Sequence, residues 1–376
     1  MSDFAAFLAL LQQDVPLAPR TTIGLGGPAR FYADVNDVTV LCEGLSWAAR
    51  EKLPVLILGG GSNLVLPDEG VQGLVLRLAM SGIRLEDSSQ NGEERIVTAA
   101  AGTPWDTLVE TTVDAGLSGL ECLSGIPGTV GATPIQNVGA YGQEVAQCIE
   151  SVECLDRATL QRRVFSAAEC DFAYRQSRFK AADRDRFVIL SVGYRLRSGY
   201  IHELRYGELQ ERLAARFGSI KNLPAGVAGL RAIRETVLEL RRGKSMVVDA
   251  DDPNTRSVGS FFMNPVLAPA DFERVRQVAV ERGHTAGPPA YSGPTGTKVP
   301  AAWLIEHAGF SRGYRRPGAA ISSKHTLALI NPGDGTRRNL LELAAEIRVG
   351  VERVFGVRLE IEPEIYGLPE NFDHRR

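Results

Sequence analysis

Apolar and polar positions change period several times along this chain, and each change predicts an element. From Asp37, which can cap a helix, apolar residues recur at helical spacing to about Lys52, and residues 54–58 then form a continuous apolar run that reads as a buried strand. Residues 59–63 (GGGSN) break that run, residues 64–66 resume it, and residues 73–78 read as another strand. A further strand is expected over 95–101, ending at Gly102. Thr103 then stands as an N-cap, with Pro104 at the first helical position and Asp106 as the acid of a capping box, in a helix running to Gly116. Residues 124–142 are rich in glycine and contain Pro127 and Pro134, so ordered loop and turn are expected there. Strands follow near 151–155 and 187–195.

Composition shifts over 221–229, which reads as a linker. Helices are expected over about 231–242, from near Asp271, and over 299–309 and 339–356. In the last strand, 358–366, Leu359, Ile361 and Ile365 share one face while Glu360, Glu362 and Glu364 share the other. This mixture predicts α+β architecture with a domain boundary near residue 225.

Composition narrows the class. A chain of 376 residues suits two or three domains, and 44 % apolar with 23 % charged residues suits sizeable cores. Forty-two Lys and Arg against 45 Asp and Glu leave a net charge of −3, so no global basic field points to nucleic acid. No apolar run approaches the roughly 18 residues that span a bilayer, and residues 1–20 lack the basic start and apolar stretch of a signal peptide. The five cysteines (Cys42, Cys122, Cys148, Cys154 and Cys170) form no CxxC pair, fit no zinc site and read as reduced cytoplasmic thiols. A monomer with no metal, nucleic-acid or membrane partner is expected.

Two glycine-rich segments are candidates for ligand contact. In the first, LGGGSN (58–63), successive glycines let backbone N–H groups converge on a phosphate, and Ser62 and Asn63 add side-chain hydrogen bonds. A tight strand-to-strand turn explains the same residues equally well. No Lys-Ser/Thr follows, as a Walker loop requires, and neither this segment nor GLGG (24–27) has the dinucleotide-binding spacing. The second segment, SGIPGTVGATPIQNVGAYG (124–142), has few charges for a long loop, which suits a backbone wrapped around a bulky neutral group.

Together these segments resemble the UDP-N-acetylenolpyruvoylglucosamine reductase family, and the likeness extends over nearly the whole chain. TIGLGGPA (22–29) looks like its opening motif and LGGGSN like its FAD diphosphate loop, which implies FAD contacts by Gly59, Gly60, Gly61, Ser62 and Asn63. GIPG (125–128) and PIQNVGAYG (134–142) look like the segments that cradle the flavin, which adds Gly125, Ile126, Pro127, Gly128, Gln136, Asn137, Gly139, Ala140 and Tyr141. The resemblance implies an FAD-binding fold of the vanillyl-alcohol oxidase type in two subdomains (1–78 and 79–225). A C-terminal α/β domain (230–356) would close over a UDP-sugar, and the last strand (357–376) would return to the first subdomain.

Later motifs bear on the reaction. YRQSRFK (174–180) resembles the family's YRxSxFK and places Arg175 as the active-site arginine. GSFFMNP (259–265) places Ser260 as the catalytic serine, and EPEI (362–365) places Glu364 in the catalytic acid position. The implied activity is NADPH-dependent, FAD-mediated reduction of UDP-N-acetylglucosamine enolpyruvate to UDP-N-acetylmuramate. A guanidinium suits the charge that builds towards the substrate carboxylate, Glu364 would act as a protonated carboxyl or orient Arg175, and Ser260 would give a proton to the neighbouring carbon. Tyr206 resembles the tyrosine that covers the nucleotide sugar. Asn264 and Lys244 resemble residues that meet the diphosphate, with Arg241 or Arg242 as electrostatic substitutes for Lys244. His307 stands where glutamine is often found. No histidine or cysteine lies within the two glycine segments, so noncovalent FAD is expected; NADPH rests on the resemblance alone. An FAD-dependent sugar or alcohol oxidase of the same fold, or an inactive flavin or UDP-sugar sensor, are the alternatives.

Overall fold

Val71–Leu78 is apolar almost throughout because it is covered on both faces, as central parallel strands are. In the computed structural model, which describes residues 3–87, 93–199, 202–293 and 296–368, this strand lies between Pro28–Val35 and Val55–Leu58 and runs parallel to both. Gln12–Pro16 completes the four-stranded sheet. The helix Val38–Arg50 buries Leu41, Leu45 and Ala48 at helical spacing against Phe7, Leu74 and Leu76. Its start is set by Asp37, whose carboxylate accepts from the Val40 N–H at 2.8 Å.

The described residues divide into two compact units. The first uses the chain up to Val15, Ala29–Gly60 and Val71–Val247; the second uses Pro16–Pro28, Gly61–Gly70 and the chain from Val248 onward. The expected segments 1–78 and 79–225 therefore fall chiefly in the first unit.

Besides the parallel sheet, the first unit holds an antiparallel sheet. Its order is Arg162–Ser166, Ile149–Asp156, Phe187–Ser198, Glu94–Ala100 and Ile83–Asp87, and Leu117–Ser118 pairs with the far end of Phe187–Ser198. Trp105, Leu108, Val109 and Val113 of the helix Trp105–Asp114 pack into its core with Tyr194 and Val192. The start of that helix differs from the sequence reading. Pro104 occupies the cap position, Thr103 exchanges hydrogen bonds with Gly82, and Asp106 is drawn away to accept from the Gly125 N–H.

Residues 221–229 also differ from expectation. They follow the 3-10 turn Ile220–Asn222 into the helix Gly226–Gly243, whose Ile233, Val237 and Leu240 pack with Leu209 and Leu213. The glycines and proline there mark a helix entry rather than a linker.

The second unit contains a four-stranded sheet ordered Ser257–Ser260, Ala328–Ile330, Ala319–Ile321 and Arg315–Arg316. The helix Arg337–Phe355 covers it, capped by Thr336 and ended by Gly356 in the left-handed conformation. Of the strand expected over 358–366, only Glu364–Ile365 pairs, parallel to Leu64–Val65, preceded by a single bridge between Ile361 and Phe262. Pro363 has no N–H to give a ladder, and the expected outward face fails at Glu362, which is buried.

Candidate functional site

Gly59 and Gly60 end the Val55–Leu58 strand within the first unit, while Gly61, Ser62 and Asn63 enter the second. Gly60 passes so close to the second glycine segment that a Cβ on it would stand 2.6 Å from the Gly128 Cα. Gly61 has φ +61° and its Cβ position is taken by the Arg20 carbonyl, so a side chain there is doubly excluded. Neither position serves merely to reverse the chain; both let backbone approach backbone.

The 125–141 segment is fastened from beneath. Trp105 N–H donates to the Gly128 carbonyl at 3.0 Å, Val130 N–H to Thr103 at 2.9 Å, and Gly131 N–H to Ala101 at 2.9 Å. Ile126, Val138 and Ala140 pack on the core of the antiparallel sheet. Gly139 and Ala140 pair with Glu144 and Gln143, so the chain reverses at Tyr141. Gly128, Gln136, Gly139 and Ala140, with Ile126 and Pro127, remain only partly buried. A stretch anchored on one side, with small residues and few charges on the other, can accept a flat neutral ring against its backbone.

Arg175 is placed by that same segment. Its Nη2 donates to the Gly139 carbonyl at 2.9 Å and its Nη1 to the Asn137 carbonyl at 3.5 Å. The motif around it docks there too: Ser177 Oγ donates to Ile135 at 2.6 Å, and Asn137 Nδ2 donates to Ala173 at 3.0 Å. Arg175, Asn137 and Tyr141 all hold left-handed backbone, at φ 54°, 45° and 49°. Such conformations cost of order 1–3 kcal/mol for non-glycine residues and persist where surrounding contacts impose them.

Tyr206, Lys244 and Tyr141 come together. The two tyrosine rings meet edge to face at 4.9 Å, and Lys244 Nζ lies 6.0 Å from each ring centre. Lys244 also pairs with Glu208 at 2.5 Å. Burial pushes the Tyr141 hydroxyl up to about 12, partly opposed by Arg241. Glu208 had no signal in the sequence; it is two residues from Tyr206, and only the start of a helix at Gly207 turns it to the lysine.

The second unit carries Ser260, Asn264 and Glu364. Ser260 ends its strand opposite Ala328, and its Oγ has no hydrogen-bond partner among the described residues. Asn264 Oδ1 accepts from the Ala301 N–H at 2.9 Å, capping Ala301–His307, while its amide nitrogen is uncommitted among the described residues. The chain carrying Glu364 is tied to that of Ser260 through Glu362 N–H to the Phe261 carbonyl at 3.0 Å. It is tied to the glycine loop through Glu364 N–H to the Asn63 carbonyl at 2.9 Å. His307 is stacked on Trp303 at 3.9 Å and bonded to the Trp303 carbonyl, a packing role.

Comparison with known proteins finds relatives along nearly the whole chain. Residues 251–366 match the C-terminal domain model of UDP-N-acetylenolpyruvoylglucosamine reductase, and residues 29–160 match an FAD binding domain. The UDP-N-acetylenolpyruvoylglucosamine reductase of Thermobifida fusca is 48 % identical over 95 % of this chain and 98 % of its own length. That of Streptomyces coelicolor is 46 % identical over 94 % of this chain and 90 % of its own. The crystal structure of UDP-N-acetylenolpyruvylglucosamine reductase from Thermus caldophilus superposes with a TM-score of 0.60 at 25 % identity, covering 95 % of this chain and 98 % of that one.

Proposed function

The chain belongs to the UDP-N-acetylenolpyruvoylglucosamine reductase family, and from that membership we infer that Arg175, Ser260 and Glu364 carry its reaction. The chain is an oxidoreductase of peptidoglycan precursor synthesis that reduces UDP-N-acetylglucosamine enolpyruvate to UDP-N-acetylmuramate. FAD, when bound, supplies the hydride and recovers it from NADPH. The remaining chemistry is the protein's own.

The observation that carries the assignment is the constraint on Arg175, a guanidinium held on the carbonyls of Asn137 and Gly139 by a strained backbone. A fixed planar fork of this kind grips the enolpyruvyl carboxylate through two charge-assisted hydrogen bonds and meets negative charge as it grows there. Ser260 delivers the proton to the carbon beside the carboxylate, a role that its uncommitted hydroxyl supports. Glu364 contributes a carboxyl to the same charge. Tyr206 covers the nucleotide sugar, and Lys244 and the uncommitted Asn264 amide nitrogen suit diphosphate oxygens.

FAD contacts are assigned to Gly59, Gly60, Gly61, Ser62 and Asn63 for the diphosphate. The ring is assigned to Gly125, Ile126, Pro127, Gly128, Gln136, Asn137, Gly139, Ala140 and Tyr141. Noncovalent binding follows from the residue types in those segments. A monomer working in the cytoplasm is our reading of the setting; it is supported by five free cysteines, four of them buried. Among the described residues no helix is long and apolar enough to cross a membrane.

An anaerobic titration tests the reading. NADPH should bleach the flavin absorbance, and the enolpyruvyl UDP-sugar should restore it promptly. Bleaching without recovery would point to another acceptor.

A further inference from the structure

Both carbonyls that hold the Arg175 guanidinium, those of Asn137 and Gly139, lie in the turn that Glu144 closes. Glu144 meets the two residues in different ways. Its backbone pairs with Gly139, and its Oε2 accepts from Asn137 Nδ2 at 2.8 Å. Gly139 leaves room for this approach. A Cβ on it would stand 2.7 Å from the Glu144 Cγ and 3.3 Å from the Arg175 Nη1, so the glutamate stem and the guanidinium lie against the same glycine.

Asn137 is buried, and its side chain is engaged at both ends. Its amide nitrogen donates to Glu144 and to the Ala173 carbonyl at 3.0 Å, while its Oδ1 accepts from the Ala146 N–H at 3.1 Å. A carboxylate and a carbonyl offer only acceptors, so they admit the Asn137 amide in one orientation. In that orientation its side chain ties down Ala173, two residues before Arg175, and its backbone carbonyl receives Arg175 Nη1. Glu144 is itself fixed as the cap of the turn Val145–Gln147. Its side chain accepts from the Gln147 N–H, and Gln147 Oε1 accepts from the Glu144 N–H at 3.2 Å. Contact thus passes from a capped turn, through a carboxylate and a buried amide, to the guanidinium.

We propose that Glu144 is a positioning residue for Arg175 and acts on it through Asn137. This rests on the reading of Arg175 as the group that meets the substrate carboxylate. In this role Glu144 touches neither substrate nor flavin; it fixes the two carbonyls against which the guanidinium fork is aimed. Its contribution is reach rather than charge, so any side chain that presents an acceptor at the same distance serves. Withdrawing the acceptor frees the Asn137 amide to turn and lets the fork drift. A misplacement of about 1 Å at a reacting group costs about 10²-fold in rate.

The test follows both half-reactions by stopped flow in holoenzyme carrying Glu144→Asp or Glu144→Gln. Aspartate keeps the charge and is a favoured cap, but it draws the carboxylate back by one methylene. Glutamine loses the charge and keeps the reach to Asn137. Glu144→Asp should slow flavin reoxidation by the enolpyruvyl UDP-sugar about 10- to 100-fold, with flavin reduction by NADPH within about twofold of wild type. Glu144→Gln should reoxidise within about threefold of wild type. If Glu144 only caps its turn, Glu144→Asp will reoxidise like wild type and Glu144→Gln will be the slower variant, and the proposal fails. Equal slowing of both half-reactions, or loss of FAD from Glu144→Asp, would also overturn it. In an Arg175→Lys background Glu144→Asp should add less than about threefold, because the fork that it aims is gone; a full additional loss is equally fatal. Wild-type reoxidation in Arg175→Lys alone would refute the reading of Arg175 itself, a result seen without any change at Glu144.

Discussion

Arg175 donates to the Gly139 carbonyl at 2.9 Å from a left-handed backbone, so its guanidinium is oriented before any substrate arrives. Lysine keeps the charge but not the planar fork. Arg175→Lys is expected to slow enolpyruvyl reduction by about 10²–10³-fold, the usual effect of removing a donor that meets developing charge. Flavin reduction by NADPH should continue. Stopped-flow measurement of the two half-reactions separates these steps, and equal loss in both would remove Arg175 from the second.

Ser260 offers, at a strand end, a hydroxyl that is uncommitted among the described residues. Ser260→Ala should lower the rate of flavin reoxidation by substrate by about 10²–10⁴-fold, the range for a positioned proton donor. Substrate affinity should hardly change. A wild-type reoxidation rate in the alanine variant would exclude proton delivery by Ser260.

Gly60 approaches Gly128 backbone to backbone, so a methyl group there cannot be relieved by a change of rotamer. Gly60→Ala should weaken FAD by at least about tenfold, in keeping with the roughly 1–3 kcal/mol of overpacking. Fluorescence titration of apoprotein measures this. Full FAD retention on purification would show that the close approach is dispensable.

Asp106 joins three elements by accepting from Arg234 on one helix and Gly125 in the glycine segment while standing on another. Burial works to raise its pKa, but Arg234 and the Gly125 N–H outweigh burial and hold the carboxyl below its ordinary 3.8. A depressed folded value means that the stabilisation is full above the unfolded value and is lost as pH falls through the folded one. Asp106→Asn should therefore cost about 1–3 kcal/mol at pH 7. The lower part of that range is expected, since the carboxylate is 39 % exposed. The gap between variant and wild type should close below about pH 4, as urea unfolding at several pH values will show. A gap independent of pH would make the charge irrelevant.

Long elements were legible in the sequence because their signals are local. Asp37 caps Val38–Arg50 as its sequence pattern expects, and Arg337–Phe355 begins and ends within two residues of the helix expected over 339–356. Short ones were not. Ala319–Ile321 and Ala328–Ile330 have three residues each, all buried, and three residues display no period. The 221–229 stretch misled because glycine and proline are equally at home in a linker and at a helix start.

By itself the sequence determined the family and the order of its motifs, since motifs are runs of neighbouring residues and survive without knowledge of the fold. It also named Arg175, Ser260 and Glu364. Tertiary structure alone decided which groups lack partners. Arg241 and Arg242 are adjacent and chemically identical, yet one is partly buried with its Nε sealed from solvent and the other faces water. Nothing local separates them, because burial and pairing depend on what distant segments bring to the same place.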